Sequence, residues 1–466
     1  MAERLWATTR RGLRWLWPTW IDSNLRIVLL ARISMSAARG IAGVVTALYL
    51  AAEGFSAVQL GVLFLCVTVV SAVMAAVIGL MSDRWGRKLF LISIPMLAAV
   101  AAAVYAFDRS PVVLFVFAAL GTFGRGAGAG GGSVGPYQPA ESALVAESAP
   151  GSARTAAFGR IGFASSLGAL CGGLLAALAQ THGHLTPASA TAVYRPAFLA
   201  AAVLAAVAGL MAIGLHEARR VRAPAHGRNR IRWPRKSWPV LWRFWVTNGV
   251  NGFAIGMFGP FVSYWLYLRY GATPAEIGLL FAVVNLGSLV STLSAAGIGN
   301  RFGTVTAIVV VRAVTGVLLV PMVLAPTFWL AAVIYFIRMV AQRVGLPLRQ
   351  SFTQEVADPG ERASLAALSN LPAQGTMAGS QVLAGYLFDE VSLAAPFEVA
   401  AVFQCLNAVL YAFLFGRPRR ARAGSPEPAM SGVDPQLEEG EVVADPELEP
   451  VPPASSPRAT DPDRRV

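Results

Sequence analysis

The sequence predicts an all-α membrane protein with twelve transmembrane helices in two pseudo-symmetric six-helix bundles. The chain of 466 residues is 55% hydrophobic and only 14% charged, whereas soluble domains usually have about 25% charged residues. It contains roughly a dozen apolar runs of about 20 residues, the length that crosses a bilayer as a helix. A charged tight turn also recurs once in each half of the chain, which indicates an internal duplication.

The apolar runs place the helices in order, six on each side of a long basic segment. In the first half the predicted spans are 26–51, 57–81, 88–107, 111–136, 156–180 and 196–216. In the second half they are 240–268, 275–299, 304–325, 328–348, 364–388 and 396–416. Polytopic membrane proteins built from two such repeats are common among transporters.

Five regions follow from this pattern. Residues 1–24 interleave arginines with tryptophans and are expected to lie on the cytoplasmic membrane surface. The halves are 25–216 and 239–416, and the basic linker between them is 217–238. The tail, 417–466, is rich in proline and acidic residues and is expected to be disordered. Because the basic residues gather at the chain start and in the linker, the positive-inside rule places both termini in the cytoplasm.

Composition also excludes several function classes. The basic residues behind the net charge of +13 gather in the segments between alternate spans, so the charge reflects topology and predicts no nucleic-acid partner. The three cysteines lie in apolar runs and predict neither a disulfide framework nor a metal site. The four histidines form no nucleophile–base pair, and we expect no enzyme activity and no cofactor. No phosphate-binding loop of an ATPase is present, so transport would use a gradient.

The duplication is visible at the start of the second span in each half. Ser56 and Gln59 open the second span, and Thr273 and Glu276 open the eighth at the same offset as the two charged turns. Both pairs match a capping box, in which a Ser or Thr hydroxyl and a Glu or Gln side chain satisfy N–H groups at a helix start. We therefore expect the two halves to share one fold.

The charged turn that follows the second span has a characteristic sequence. Its motif residues are Gly79, Asp83, Arg84, Gly86, Arg87 and Lys88. The second copy keeps Asn300, Arg301 and Gly303, with asparagine in place of the acid. With twelve spans and a basic central loop, this motif resembles that of the major facilitator superfamily of secondary transporters, over about residues 25–416. The resemblance implies alternating access and a cytoplasmic latch between the halves.

In this chain the resemblance assigns the latch to Asp83 and Arg87, with Glu147 as the candidate partner. The alternative is that these charges only set the topology. In the fourth span Arg125 and Gly131 partly match an element of the family that is linked with proton coupling. In the fifth span Ala169 stands where the family's exporters have proline, which weakens an exporter assignment.

Polar residues inside the spans are candidates for the transport path, because buried polar groups in a bilayer are costly. The predicted cavity and coupling residues are Ser36, Arg39, Arg125, Glu141, Asn248, Asn251, Arg338, Asn370, Gln374 and Gln381. Arg32 is expected to extend to the cytoplasmic interface. Central arginines without a carboxylate at mid-depth favour an anionic or neutral polar solute, and Glu141 is the expected proton site.

These observations predict a secondary active transporter of a small organic solute, with proton-coupled efflux as the first choice. Uptake or exchange of an organic anion is the alternative, and a non-transporting membrane scaffold or sensor is a second one. The expected partners are the solute, protons and the lipid bilayer. We expect a monomer in a bacterial-type inner membrane.

Overall fold

The computed structural model describes residues 21–122, 135–148, 154–178, 187–216, 236–356, 358, 361, 365 and 368–416. The predictions for the N-terminal segment, most of the basic linker and the tail concern residues outside these ranges. Every regular element within them is helical, which agrees with the predicted all-α fold.

The helices of the first half are α1 to α7. Their bounds are α1 Ser23–Ala52, α2 Ala57–Trp85, α3 Arg87–Phe107, α4 Pro111–Gly121, α5 Gln138–Ser148, α6 Arg154–Leu175 and α7 Pro187–Ile213. The helices of the second half are α8 to α15. Their bounds are α8 Trp238–Phe258, α9 Val262–Tyr270, α10 Pro274–Phe302, α11 Thr304–Val317, α12 Leu319–Leu324, α13 Phe328–Val356, α14 Leu371–Glu390 and α15 Ala395–Phe415.

Eight helices in the described part of the chain are long and apolar enough to cross a membrane. The spans are Ser23–Ala52, Ala57–Gly79, Arg87–Phe107, Ala156–Leu175, Ala192–Ile213, Thr304–Leu324, Phe328–Thr353 and Ala395–Phe415. The remaining predicted spans overlap α4, α8 with α9, α10 and α14. Two of these four contain the shorter apolar segments Pro111–Gly121 and Pro274–Ser288 within the described residues.

Several predicted boundaries are wrong, and proline accounts for most of the differences. The seventh predicted span divides into α8 and α9 at a short 3₁₀ turn that contains Pro260, which has no N–H to donate. The ninth divides at Leu318, three residues before Pro321. Helix α14 starts at Leu371, later than predicted, with Pro372 in its first turn. Helix α7 starts earlier than predicted, at Pro187.

The two halves repeat the same local geometry. The Ser56 Oγ atom accepts a hydrogen bond from the Gln59 N–H at 3.2 Å, and Thr273 Oγ1 accepts one from the N–H of Glu276 at 3.2 Å. At the charged turns Gly86 has φ 90° and ψ 146°, and Gly303 has φ 80° and ψ 140°. Only glycine adopts such angles without strain. The predicted duplication is therefore present in the backbone.

Glycines allow the halves to meet closely at the end that carries the acidic loops, the predicted outer end. A Cβ atom on Gly61 of α2 would lie 2.5 Å from the carbonyl oxygen of Gln381 on α14. A Cβ atom on Gly173 of α6 would lie 2.6 Å from the carbonyl oxygen of Gly278 on α10. Backbones can approach this closely only where side chains are absent. The halves are thus in contact at this end.

Candidate functional site

A buried ion pair lies inside the first half. The Arg32 guanidinium on α1 pairs with the Glu141 carboxylate on α5, and its Nε atom donates to Ser165 Oγ on α6 at 2.5 Å. Arg32 is 5% exposed and Glu141 3% exposed. Arg32 therefore points inward to a carboxylate, and the expectation that it extends to the interface is wrong. The cluster joins three helices through one charge pair.

Arg39 and Ser36 lie on the same face of α1 as Arg32 but contact other parts of the first half. The Arg39 Nη2 atom donates to Thr122 Oγ1, at the end of α4, over 2.6 Å. Gly135 has φ 97°, and a Cβ atom there would collide with the Arg39 guanidinium. Ser36 is 5% exposed and packs on α6, with its Cβ atom 2.8 Å from where a Cβ of Gly168 would lie. Arg125 lies outside the described residues.

In the second half, two asparagines of α8 accept hydrogen bonds from arginines. Asn248 is 2% exposed; its side chain donates to the carbonyl of Ser369 at 2.8 Å and accepts from Arg349 Nη1 at 3.3 Å. Asn251 accepts from Arg312 Nη1 at 3.3 Å. Arg312 also donates to the Asn407 side chain on α15. Both predicted asparagines thus contact cationic side chains.

Arg338 is held by neutral groups in the core of the second half. It is 1% exposed, and its Nε atom donates to the carbonyl of Thr315 at 3.0 Å. Its Nη1 atom lies 3.5 Å from Gln342 Oε1. The guanidinium carbon is 4.1 Å from the centroid of the Phe258 ring, a favourable cation–π arrangement.

Beside Arg338 lies a cavity with an empty volume of about 680 Å³ among α8, α11, α13 and α15. Its polar lining consists of Asn251, Arg312, Thr315, Gln342, Arg343, Arg349 and Gln404. Sequence reasoning missed Gln342, Arg343 and Arg349 as site residues. Arg338, Gln342 and Arg349 are spaced i, i+4 and i+11, which places them on one helical face. This spacing is the sequence signal that could have identified Gln342 and Arg349.

The three predicted cavity residues of α14 have different surroundings along the helix. Asn370 and Gln374, near the predicted cytoplasmic end, are exposed. Gln381 is 1% exposed, and its Oε1 atom accepts from Thr68 Oγ1 of α2 at 3.2 Å. These three residues share one helical face. The face is therefore open at one end of the molecule and closed against the first half at the other.

A carboxylate also joins the halves at the predicted outer end. Asp389, at the end of α14, accepts hydrogen bonds from the N–H of Ala57 at 3.0 Å and from the N–H of Val58 at 2.8 Å. These are free N–H groups of the first turn of α2, where a negative charge is favourable. Sequence reasoning did not find this contact, because nothing local pairs α14 with α2.

The charged turn between α2 and α3 contains the residues that were predicted to form a latch between the halves. Arg87 is 6% exposed and pairs with Glu147 of α5 at 2.6 Å. Both residues belong to the first half, so this pair joins helices within that half. Gly79 is exposed and Lys88 half-buried. The side chains of Asp83 and Arg84 are outside the described part of the structure.

The second copy of the turn offers fewer interactions. Arg301 is exposed, and its guanidinium carbon lies 5.5 Å from the centroid of the Phe302 ring. Gly303 is exposed and makes the turn. The Asn300 side chain is outside the described residues. Within the described chain, no group of three or more His, Cys, Asp or Glu side chains could hold a metal ion.

Comparison with known proteins agrees with this architecture. The family model described as Major Facilitator Superfamily matches residues 28–249 and 244–448. The nucleoside transporter NupG superposes with a TM-score of 0.64 and 13% identity, covering 84% of this chain and 99% of NupG. A D-xylose–proton symporter gives 0.64 and 16%, covering 85% and 98%. A bacterial homologue of the human lysosomal transporter Spinster, inward-facing and unoccupied, gives 0.62 and 14%, covering 85% and 97%. No curated protein sequence matches the chain.

Proposed function

This chain belongs to the Major Facilitator Superfamily and is a membrane transporter of a solute, and on that premise we propose that it exports a small organic solute in exchange for protons. The family and the structural neighbours indicate a transporter rather than an enzyme. The observation that carries the proposal is the buried pair of Arg32 and Glu141.

Proton exchange needs a group whose charge can change inside the protein, and Glu141 is suited to this role. Breaking a buried ion pair by removing one charge costs about 3–5 kcal/mol, so the neighbouring Arg32 guanidinium favours the ionised form of Glu141. A movement that separates α5 from α1 would leave the carboxylate without its counter-charge and favour proton binding. Conformation and protonation are thereby linked at one pair.

The arrangement of the halves supports alternating access in an inward-open state. Gln381 and Asp389 hold α2 against α14 at the predicted outer end, whereas Asn370 and Gln374 are exposed at the other. We propose that the latter end faces the cytoplasm, as the charge distribution predicts. In the opposite state, the turn from Asp83 to Lys88 would close that end as the cytoplasmic latch.

Export is proposed because protons that move inward down their gradient drive an exchanged solute outward. The run from Gly168 to Gly173 keeps the small residues of the family's exporters, although Ala169 replaces their proline, and it packs α6 directly on α1. A Cβ atom on Gly168 would lie 2.3 Å from the carbonyl oxygen of Ile33, and one on Gly172 would lie 2.2 Å from that of Ala37. The second candidate, transport of an organic anion, is favoured by the arginine-lined cavity of the second half.

The test is solute-dependent proton flux in liposomes that contain the purified protein and a pH-sensitive dye. With a panel of solutes, we expect at least one to drive proton movement in the wild type. Glu141→Gln should reduce that movement at least about tenfold while leaving solute counterflow measurable, because the proton site alone is lost. Loading the solute on either side of the membrane reports the direction.

The matched control is Glu398→Gln, which removes an exposed carboxylate from the first turn of α15 and should leave the flux unchanged. If Glu141→Gln folds poorly with Arg32 unpaired, the double variant Arg32→Gln with Glu141→Gln removes both charges together. A wild-type flux in either variant would remove Glu141 from the mechanism.

A further inference from the structure

The cavity of the second half is lined by cations without a carboxylate. Arg312, Arg343 and Arg349 reach it from α11 and α13, and Thr315 and amide side chains complete its polar lining. No Asp or Glu side chain of the described residues forms part of that lining. A concentration of like charge inside a bundle is unusual, because each unpaired charge carries a desolvation cost.

The partners of these arginines are neutral. Arg312 donates to the side-chain oxygens of Asn251 and Asn407, and Arg349 to that of Asn248. Arg343 makes no hydrogen bond to a residue that the structure describes. Amide oxygens satisfy single N–H groups but supply no counter-charge, so the cavity keeps a surplus of positive charge. An anion would remove that surplus.

The arginines of α13 extend from the middle of the membrane towards the open end. Along α13, Arg338 lies about 15 Å and Arg349 about 31 Å from the first residue, which is at the predicted outer end. The series Arg338, Gln342 and Arg349 therefore runs from mid-membrane towards the exposed, predicted cytoplasmic end. A row of cations between apolar walls attracts anions and raises their local concentration.

We propose that this cavity binds the carboxylate or phosphate group of a small organic anion, with Arg312, Arg343 and Arg349 as its ligands. Guanidinium groups bind such oxyanions through paired N–H donors. The Gln404 Oε1 atom is buried and has no hydrogen-bond partner in the described structure, so it can accept from a hydroxyl or amino group of the same ligand. This inference rests on the proposed transport function and names its substrate class.

Binding is measured on the full chain in phosphatidylcholine nanodiscs, which contain no anionic lipid. The probes are succinate, inorganic phosphate and neutral xylose, and the readout is the ligand-induced shift in thermal unfolding. We expect succinate or phosphate to stabilise the wild type and xylose to have no effect. The two anions distinguish a carboxylate site from a phosphate site.

Arg343→Gln is the most informative variant, because Arg343 makes no described hydrogen bond whose loss would disturb the fold. It should weaken anion binding at least about tenfold, the effect of losing one charge-assisted pair. Arg343→Lys keeps the charge and should lose only part of the affinity. Arg269→Gln is the matched control: it removes the same charge from an exposed site at the other end of the same half.

The proposal would be overturned if the anions stabilised Arg343→Gln as much as Arg269→Gln. It would also be overturned if neither anion stabilised the wild type. This outcome is independent of the liposome assay, because binding is read without a proton gradient. Solute-driven proton flux with a neutral solute alone would leave the transport proposal standing and refute the anion site. Anion binding without any proton flux would support the anion site and refute the proposal of proton-coupled transport.

Discussion

Loss of the Asp389 carboxylate should shift the protein from the inward-open to the outward-open state. Asp389 accepts two N–H groups from the start of α2, at 3.0 and 2.8 Å, and both must separate from it when the outer end opens. A hydrogen bond to a charged group contributes about 1.5–3 kcal/mol. Because Asp389 is exposed, hydrogen bonds to water replace part of this energy when the contact is lost. We therefore take about 1.5 kcal/mol for the two hydrogen bonds together.

That energy corresponds to a change of about tenfold in the ratio of the two states for Asp389→Ala. Asp389→Asn retains one acceptor and should give a smaller change. The assay is the distance between spin labels at Ser110 and Pro326, exposed positions at the outer end of each half, after replacement of the native cysteines. The longer-distance population should grow in Asp389→Ala.

The control is the neighbouring acid. Glu390→Gln removes one exposed negative charge at the next position, yet the structure gives Glu390 no hydrogen bond to the described residues of α2. Its distance distribution should match the wild type. If Asp389→Ala and Glu390→Gln behave alike, the carboxylate does not hold the outer end closed, and the reasoning from the α2 N–H groups fails.

Gly173→Val should also open the outer end and slow transport, because its side chain would collide with Gly278 of the other half. The control is Gly162→Val on the same helix, where an added Cβ atom has no neighbour within 4 Å. It should leave the spin-label distances unchanged. Burial alone would raise the pKa of Glu361, but hydrogen bonds from Ser237 and its neighbour outweigh this and lower the pKa. Its stabilising effect is then present above its unfolded pKa of about 4.5 and is lost as pH falls. Glu361→Gln should therefore reduce thermal stability at about pH 7, and this loss should shrink as the pH falls through the folded pKa of Glu361.

The fold was predictable from local sequence because each signal acts locally. Apolar length predicts a span, and Ser56 with Gln59 predicts a helix start whatever the rest of the chain does. The errors in helix bounds arise where a proline such as Pro260 interrupts an apolar run without changing its hydropathy. Periodicity and composition alone do not distinguish one continuous helix from two consecutive ones.

The site was less predictable because its contacts join distant parts of the chain. Arg32 was expected at the interface, since its partner Glu141 lies four helices away along the sequence. Arg338 was predicted, and Arg349 could have been: Arg338, Gln342 and Arg349 have the same i, i+4, i+11 spacing as Asn370, Gln374 and Gln381. Their convergence with Arg312 on one cavity depends on packing, which no local pattern encodes.

The two proposals together constrain the direction of transport. Export of a monovalent anion in exchange for one proton moves two elementary charges in the same sense. An inside-negative membrane potential therefore favours it by about 4.6 kcal/mol per 100 mV, twice the value for one charge. Uptake of the same anion with one proton is electroneutral and gains nothing from the potential. If Arg343 and its neighbours bind the solute while Glu141 carries the proton, an inside-negative potential imposed on the liposomes should accelerate export, whereas a rate independent of voltage would indicate uptake.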